Sequence, residues 1–375
     1  ATVGAALSAN KGAASMLHAV IQNLPDYVGP CMFDVLTTYP SEDAGELAPA
    51  EIRLVSATPV ATLLAFPLAL LAWLASRLRV PKRIFCRTPA LRALLEADVV
   101  VDLAGISFSD GRGIPTLGYN VLMTGIPLLL GKPVVKASQA LGPFKERLNR
   151  LMARIVLRRV SMICARGAST EANLRTLGLA NVVAAPDLAF TMRESQEAKT
   201  RAAARLGGRD RFIALFPSSV VHGYCERRGI DYVTIMASFV DHLRDAGHHV
   251  VIAAHSARPG ADPSRMNDLP LCRMIHQQVQ VPDLVTLLDD NLPPDELRAV
   301  IDASSLTVTS RFHAMVSALA TETAVMVIGW SHKYQEVLDD FQVEGCSIDY
   351  PSLSVDALEA RFRDVFARRD DIVES

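Results

Sequence analysis

The sequence predicts an α/β protein made of two doubly wound domains, and three observations carry that expectation. Short apolar runs rich in Val and Ile recur at 98–103, 133–136, 162–165, 212–216, 249–253, 306–309 and 324–328. Longer stretches of helical periodicity separate them, among them 144–158, 232–246 and 294–303. The chain has 375 residues, more than one hydrophobic core usually organises. Uninterrupted apolar strands alternating with helices indicate parallel sheets covered on both faces.

Composition changes between 186 and 210, where a polar, charged, helix-like piece ends in Gly207-Gly208, and the domain junction is expected there. The expected organisation is a Rossmann-like lobe over 1–190, a linker over 191–210, a second Rossmann-like lobe over 211–350, and a helix and tail over 351–375. By analogy with two-lobed folds of this kind, the helix at 354–369 is expected to cross back to the first lobe.

Lys and Arg number 38 against 40 Asp and Glu, so no global field would hold nucleic acid. The six cysteines lie far apart without a CxxC pair, which suits free thiols in a reducing cytoplasm and disfavours a metal site. No basic start, apolar core and cleavage site opens the chain, so no signal peptide is expected. Residues 59–75 are uncharged but interrupted by Pro67, and Arg77, Arg79, Lys82 and Arg83 follow. This segment reads as a core helix, as an interfacial helix on anionic lipid reaching through 59–83, or, least well given its length, as a membrane span.

In parallel sheets ligands bind beyond the carboxyl ends of the strands. The strand at 306–309 runs into Ser310-Arg311-Phe312-His313-Ala314 and then a helix, with Ser310 the expected N-cap. Arg311 and His313 thus lie at a helix N-terminus, where free amides favour an anion and a guanidinium can grip a carboxylate or phosphate. Taken singly they read as a surface cap and a structural histidine. Three other strands lower that reading, because they end in Arg166, in His255, and in the turn Gly329-Trp330-Ser331-His332-Lys333. Their convergence points to a small, highly anionic ligand. Asp110-Gly111 reads equally as turn chemistry or a substrate contact. No GxGxxG after a strand, Walker loop, GxSxG elbow or HExxH is present.

Assembled in order, these residues resemble the polysaccharide pyruvyl transferase family. The matching features are Asn10-Lys11-Gly12-Ala13, residues 105–110, Lys132-Pro133-Val134-Val135 with Gln139 and Gly142-Pro143-Phe144, Arg166, Pro186-Asp187-Leu188-Ala189-Phe190, His255 with Asn267-Asp268, Ser310 to Ala314, and His332-Lys333-Tyr334. Two departures are Gly167, where the family has an acidic residue, and Ala104-Gly105 in place of a Gly-Gly pair.

The resemblance implies a glycosyltransferase-B-like fold and transfer of pyruvate from phosphoenolpyruvate to a sugar as a ketal, sometimes on a lipid-linked intermediate. The dispersed cysteines make a cytoplasmic protein the expectation, peripheral at the inner membrane face if 59–83 rests on lipid, and the resemblance implies phosphoenolpyruvate as co-substrate with no metal or other cofactor. Expected donor-binding residues are Arg166, Ser310, Arg311, His313, Lys333 and His255, with His313 as general acid/base and His255 the second candidate. The first lobe is expected to supply the acceptor contacts Asn10, Lys11, Asp110 and Gln139, although capping or core packing would equally explain Asn10 and Gln139. A nucleotide-sugar glycosyltransferase and a catalytically silent carbohydrate-binding relative are the competing readings.

Overall fold

The structure, a computed structural model, describes residues 1–8, 10–45, 51–209, 211–257, 267–329, 332–343 and 345–374. The chain forms two compact units, Ala1–Ser8 with Ala13–Leu188 and Ala9–Gly12 with Ala189–Ser375.

The first unit is built on β1 (Thr2–Val3), β2 (Phe33–Thr37), β3 (Ile52–Ser56), β4 (Val100–Asp102), β5 (Ile106–Ser107), β6 (Val134–Leu141), β7 (Met162–Arg166) and β8 (Val182–Ala185). The order is β3-β2-β1-β4-β6-β7-β8, with β5 beside β6, and the pairs are parallel. The order reverses between β1 and β4, which sets the switch point of a doubly wound sheet there. Gly4 follows β1 at φ 82°, and a Cβ on it would lie 2.7 Å from the Ala104 nitrogen, so the chains meet at glycine distance.

Three helices of this unit lie side by side. Pro59–Arg77, whose first turn is capped by Thr58 Oγ1 accepting from the Ala61 amide, packs on Gly113–Leu130, and that helix packs on Arg147–Leu157. Of the readings left open for this segment, Pro59–Arg77 meets that of a core helix along one side only. Only 22% of its most apolar 18-residue window is buried. Thr62, Ala65, Ala69 and Ala72 face inward while the larger Leu63, Leu64, Leu71 and Leu74 face out. Arg147–Leu157 starts later than the expected Phe144 because Phe144 is buried at φ 62°, outside the helical region.

The second unit repeats the plan with β9 (Ile213–Phe216), β10 (Val250–Ala253), β11 (Val285–Leu288), β12 (Leu306–Thr309), β13 (Val325–Gly329) and β14 (Ser347–Asp349). Its order is β11-β10-β9-β12-β13-β14, again parallel, reversing between β9 and β12. The residues of β9, β10, β12 and β13 are all buried, as a sheet covered on both faces requires.

Two expectations are corrected here. The segment expected as a linker belongs to the second unit. Its helix Gln196–Arg205, capped by Ser195, docks on Pro294–Asp302, where Arg201 and Arg205 pair with Glu296. Arg298, buried, donates to the carbonyls of Ala189 and Met192. A buried glutamate and a buried arginine need those partners, which ties the segment down; Asp210 lies outside the described residues. The C-terminal helix Val355–Ala367, expected to cross back, is grouped with the second unit. It buries Leu358, Phe362 and Val365 in its own unit, with Phe362 edge-on to Phe239 and His248, and Glu359 bonded to His242 at 3.1 Å.

Candidate active site

The switch point of the second sheet lies between β9 and β12, whose last residues, Phe216 and Thr309, stand in register. Beyond β9 the chain passes Pro217 and Ser218 into the helix Ser219–Glu226, and beyond β12 it passes Ser310 and Arg311 into Phe312–Ala320. Two helix N-termini thus open at one sheet edge, where unbonded amides favour negative charge.

Ser310 is not the cap. Its amide donates to the Phe216 carbonyl (3.0 Å), its hydroxyl lies 3.2 Å from the Tyr232 hydroxyl, and its carbonyl accepts from Tyr334 (3.0 Å). The ladder bond to β9 turns this residue inward, and it is fully buried. The cap position falls to Arg311, whose amide donates to Thr309 Oγ1 (2.9 Å). Ser310 holds the turn from inside, and burial raises the pKa of its partner Tyr232 well above the usual phenol value.

The Arg311 side chain forms a two-pronged pair with Asp268, donating from Nε at 2.7 Å and also from Nη2. Asp268 is fully buried and also accepts from the Ser219 amide (2.9 Å). Burial works to lower the guanidinium pKa, but Asp268 outweighs it, so Arg311 stays charged. One carboxylate therefore fixes the arginine and both helix starts.

His313 lies in the first turn of its helix, edge-on to Phe312 at 5.2 Å. Lys333 Nζ sits 4.8 Å from the centre of the Phe312 ring, which brings the turn after β13 to the same edge. Residues 330 and 331 of that turn lie outside the described residues. His255, after β10, is buried against the Phe216 ring edge at 5.7 Å. Burial first, then the charges of His313, Arg311 and Lys11, press its pKa down to about 3. His255 is thus neutral near pH 7 and is not the resting proton donor.

Asn10 and Lys11 were expected on the acceptor side of the first lobe, yet the chain groups Ala9–Gly12 with the second unit. Asn10 Oδ1 accepts from the Gly12 amide (3.0 Å), starting the helix Lys11–Val28, and Lys11 is wholly buried. A Cβ on Gly12 would stand 2.0 Å from His313 Nδ1, so the imidazole rests directly on the glycine. Gly12→Ala should therefore push the ring aside. Since misplacement by about 1 Å can cost roughly 10²-fold in rate, turnover should drop by that order while the melting temperature changes little. Parallel kinetics and thermal melts check it, and unchanged turnover would remove the contact from importance.

The other expected residues stand in the first unit. Arg166, ending β7, donates to Asp187 (2.5 Å) and to the Gly105 carbonyl (3.0 Å). Gln139 is fully buried; its amide nitrogen donates to Asp102 and its oxygen accepts from Ser107 (2.6 Å). Asp110 accepts from the amides of Lys145 (2.6 Å) and Glu146 (3.3 Å) and from Asn149 (2.7 Å). Gln139 and Asp110 therefore hold the 105–110 loop. Beside them the buried pair Lys136 and Asp102 (2.5 Å) closes the end of β4.

Among the described residues no three His, Cys, Asp or Glu side chains gather as a metal site would require. Asp268 is the main residue that pattern reading missed. It enters only through Asn267-Asp268 in the resemblance, since no local spacing links it to an arginine 43 positions away.

Comparison with known proteins agrees with this architecture. The UDP-GlcNAc 2-epimerase from Neisseria meningitidis superposes with a TM-score of 0.59 at 10% identity, covering 100% of this chain and 94% of that one. A glycosyltransferase from Rickettsia africae gives 0.52 at 10% identity, covering 100% and 92%. At such identities the likeness concerns the fold alone, the glycosyltransferase-B-like pair of parallel sheets. In sequence, the amylovoran biosynthesis protein AmsJ of Erwinia amylovora is 23% identical over 295 residues, 74% of this chain and 68% of that protein. The model of the polysaccharide pyruvyl transferase family matches residues 10–332, a span that takes in the Asn10 turn, Arg166, Asp268 and the Arg311 to His313 helix start, and the chain belongs to that family.

Proposed function

We propose that the protein transfers the pyruvyl unit of phosphoenolpyruvate to a sugar of an extracellular polysaccharide or of its lipid-linked precursor, forming a ketal and releasing phosphate. Family membership supports the transferase class, and one observation supports the donor. Around His313 the second unit gathers Arg311, Lys333 and Lys11, with Asp268 committed to Arg311. A carboxylate plus a phosphate brings about three negative charges near pH 7, and a helix terminus offsets only about half of one. Cations must supply the rest.

In this reading Arg311, Lys333 and the amides at the start of Phe312–Ala320 bind the donor, and Arg166 is assigned to its second anionic group. His313 protonates the terminal methylene carbon. A sugar hydroxyl adds to the neighbouring carbon and loses its proton, and the bond from that carbon to the phosphate oxygen breaks. A second hydroxyl then closes the ring and loses its proton. Neutral, buried His255 positions the site beside His313 and does not relay the first proton. Asn10 and Asp110 are assigned to acceptor hydroxyls, and Gln139 to positioning the 105–110 loop. No metal or other cofactor enters these steps. Phosphoenolpyruvate is an intracellular metabolite, so the reading places the protein in the cytoplasm.

The test is incubation with phosphoenolpyruvate and a panel of galactosides, glucosides and N-acetylmannosamine-containing acceptors, reading released phosphate and acid-labile pyruvate on the sugar. Phosphate with sugar-bound pyruvate is expected. Release of a nucleoside diphosphate from a nucleotide sugar would replace the proposal with glycosyl transfer, and binding without turnover would make the protein a silent relative.

A further inference from the structure

The three neighbouring helices of the first unit carry an unusual distribution of size and charge. On Pro59–Arg77 and the residue after it, Val60, Leu63, Leu64, Leu71, Leu74 and Leu78 are exposed, Leu64 at 65% and Leu78 at 79%. At 3.6 residues per turn these positions fall on one stripe, and Thr62, Ala65, Ala69 and Ala72 fall opposite, in the core. The ordinary arrangement of a surface helix is thus inverted, with small residues inward and large apolar ones in water. Gly113–Leu130 adds Ile114, 72% exposed. Arg147–Leu157 adds Leu148, Leu151 and Ile155, again one stripe, while Ala153, Val156 and Leu157 are buried on its other side.

Charge is segregated onto the same helices. Residues 59–83 hold four Lys and Arg, 113–132 one and 147–159 five, with no Asp or Glu in any of the three, although the chain as a whole has a net charge of −2. Arg77, Arg79, Arg83, Arg150, Arg154 and Arg158 are exposed, so their stems can lie along apolar surface while the heads reach outward. An exposed apolar stripe flanked by exposed cations complements an anionic lipid surface. Each helix also has a face in the protein core, so none is free on all sides as a single membrane span would be.

We propose that this face of the first unit, the exposed stripes of Pro59–Arg77 and Arg147–Leu157 with their arginines, docks the protein peripherally on an anionic lipid bilayer. The stripes enter the boundary between headgroups and acyl chains, and the arginines take the phosphate level. Each basic residue near an anionic surface strengthens partition about fivefold, so several acting together give strong dependence on lipid charge and on salt.

The experiment is vesicle flotation of the full chain with phosphatidylcholine alone or doped with phosphatidylglycerol, for the wild type and two variants. Leu63→Ser/Leu64→Ser/Leu71→Ser removes the stripe; Arg150→Glu/Arg154→Glu/Arg158→Glu reverses the charge. All these positions are exposed, and thermal melts confirm that the variants fold. Wild-type protein should float only with phosphatidylglycerol, and each variant should lose at least about tenfold in partition. Equal recovery with and without the anionic lipid overturns the proposal, as does undiminished binding by both variants. A lipid-independent dimer dissociated by the leucine substitutions also overturns it, because a second copy would then be the occupant. The surface stands apart from the donor chemistry: a protein that releases phosphate from phosphoenolpyruvate but never floats refutes the docking and leaves the reaction intact.

Discussion

His313→Ala is expected to lower phosphate release from phosphoenolpyruvate by about 10² to 10⁴-fold, the range that a positioned acid/base supplies. Donor affinity should change by no more than a few fold, because the anion is assigned to Arg311, Lys333 and the helix amides. A fall in kcat with retained binding is the signature of a group that acts in the transition state. Histidine suits the step because its free pKa lies near the operating pH, and its ring is braced by the Phe312 edge and by Gly12. His255 cannot take over, since burial and three cationic neighbours hold it neutral. Single-turnover kinetics with calorimetry of the donor separate the two effects. Turnover within threefold of wild type would take His313 out of the reaction.

The longer uninterrupted strands of both sheets were legible in the sequence; the two-residue β1, although buried between β2 and β4, and the strands broken by charge were not. The strand 306–309 is read to the residue, because a strand covered on both faces is a continuous apolar run between polar turns. β2 and β3 escape the same reading because Asp34 and Arg53 interrupt them, and those two side chains pair at 2.6 Å across neighbouring strands. Helix Gln196–Arg205 looks like a linker because four of its ten residues are charged and none is large and apolar, yet its two arginines are held by Glu296. Within the site, Arg311, His313 and Lys333 announce themselves by position after a strand. Asp268 and Gly12 do not, because their roles exist only when segments distant in sequence meet. A glycine's value is the space it leaves, which no periodicity records.

Arg311→Met is expected to cost about 3 to 5 kcal/mol of stability, because it leaves the Asp268 carboxylate buried without its counter-charge. The Ser219 amide still donates to Asp268, but one neutral hydrogen bond does not replace a two-pronged ion pair. Asp268→Asn placed in the same chain removes the stranded charge while keeping an acceptor for Ser219. The double variant should therefore recover most of the loss in a denaturant titration. Phosphate release should not recover, since the guanidinium assigned to the donor is gone in both chains. The two measurements divide the arginine's work: stability follows the balance of charge in the pair, and activity follows the presence of the cation. If the double variant turned over phosphoenolpyruvate at the wild-type rate, Arg311 would be a structural partner of Asp268 and nothing more. If it stayed as unstable as the single variant, the pair would not be what holds this turn. A stable but inactive double variant would show that the fold tolerates loss of the pair and the reaction does not.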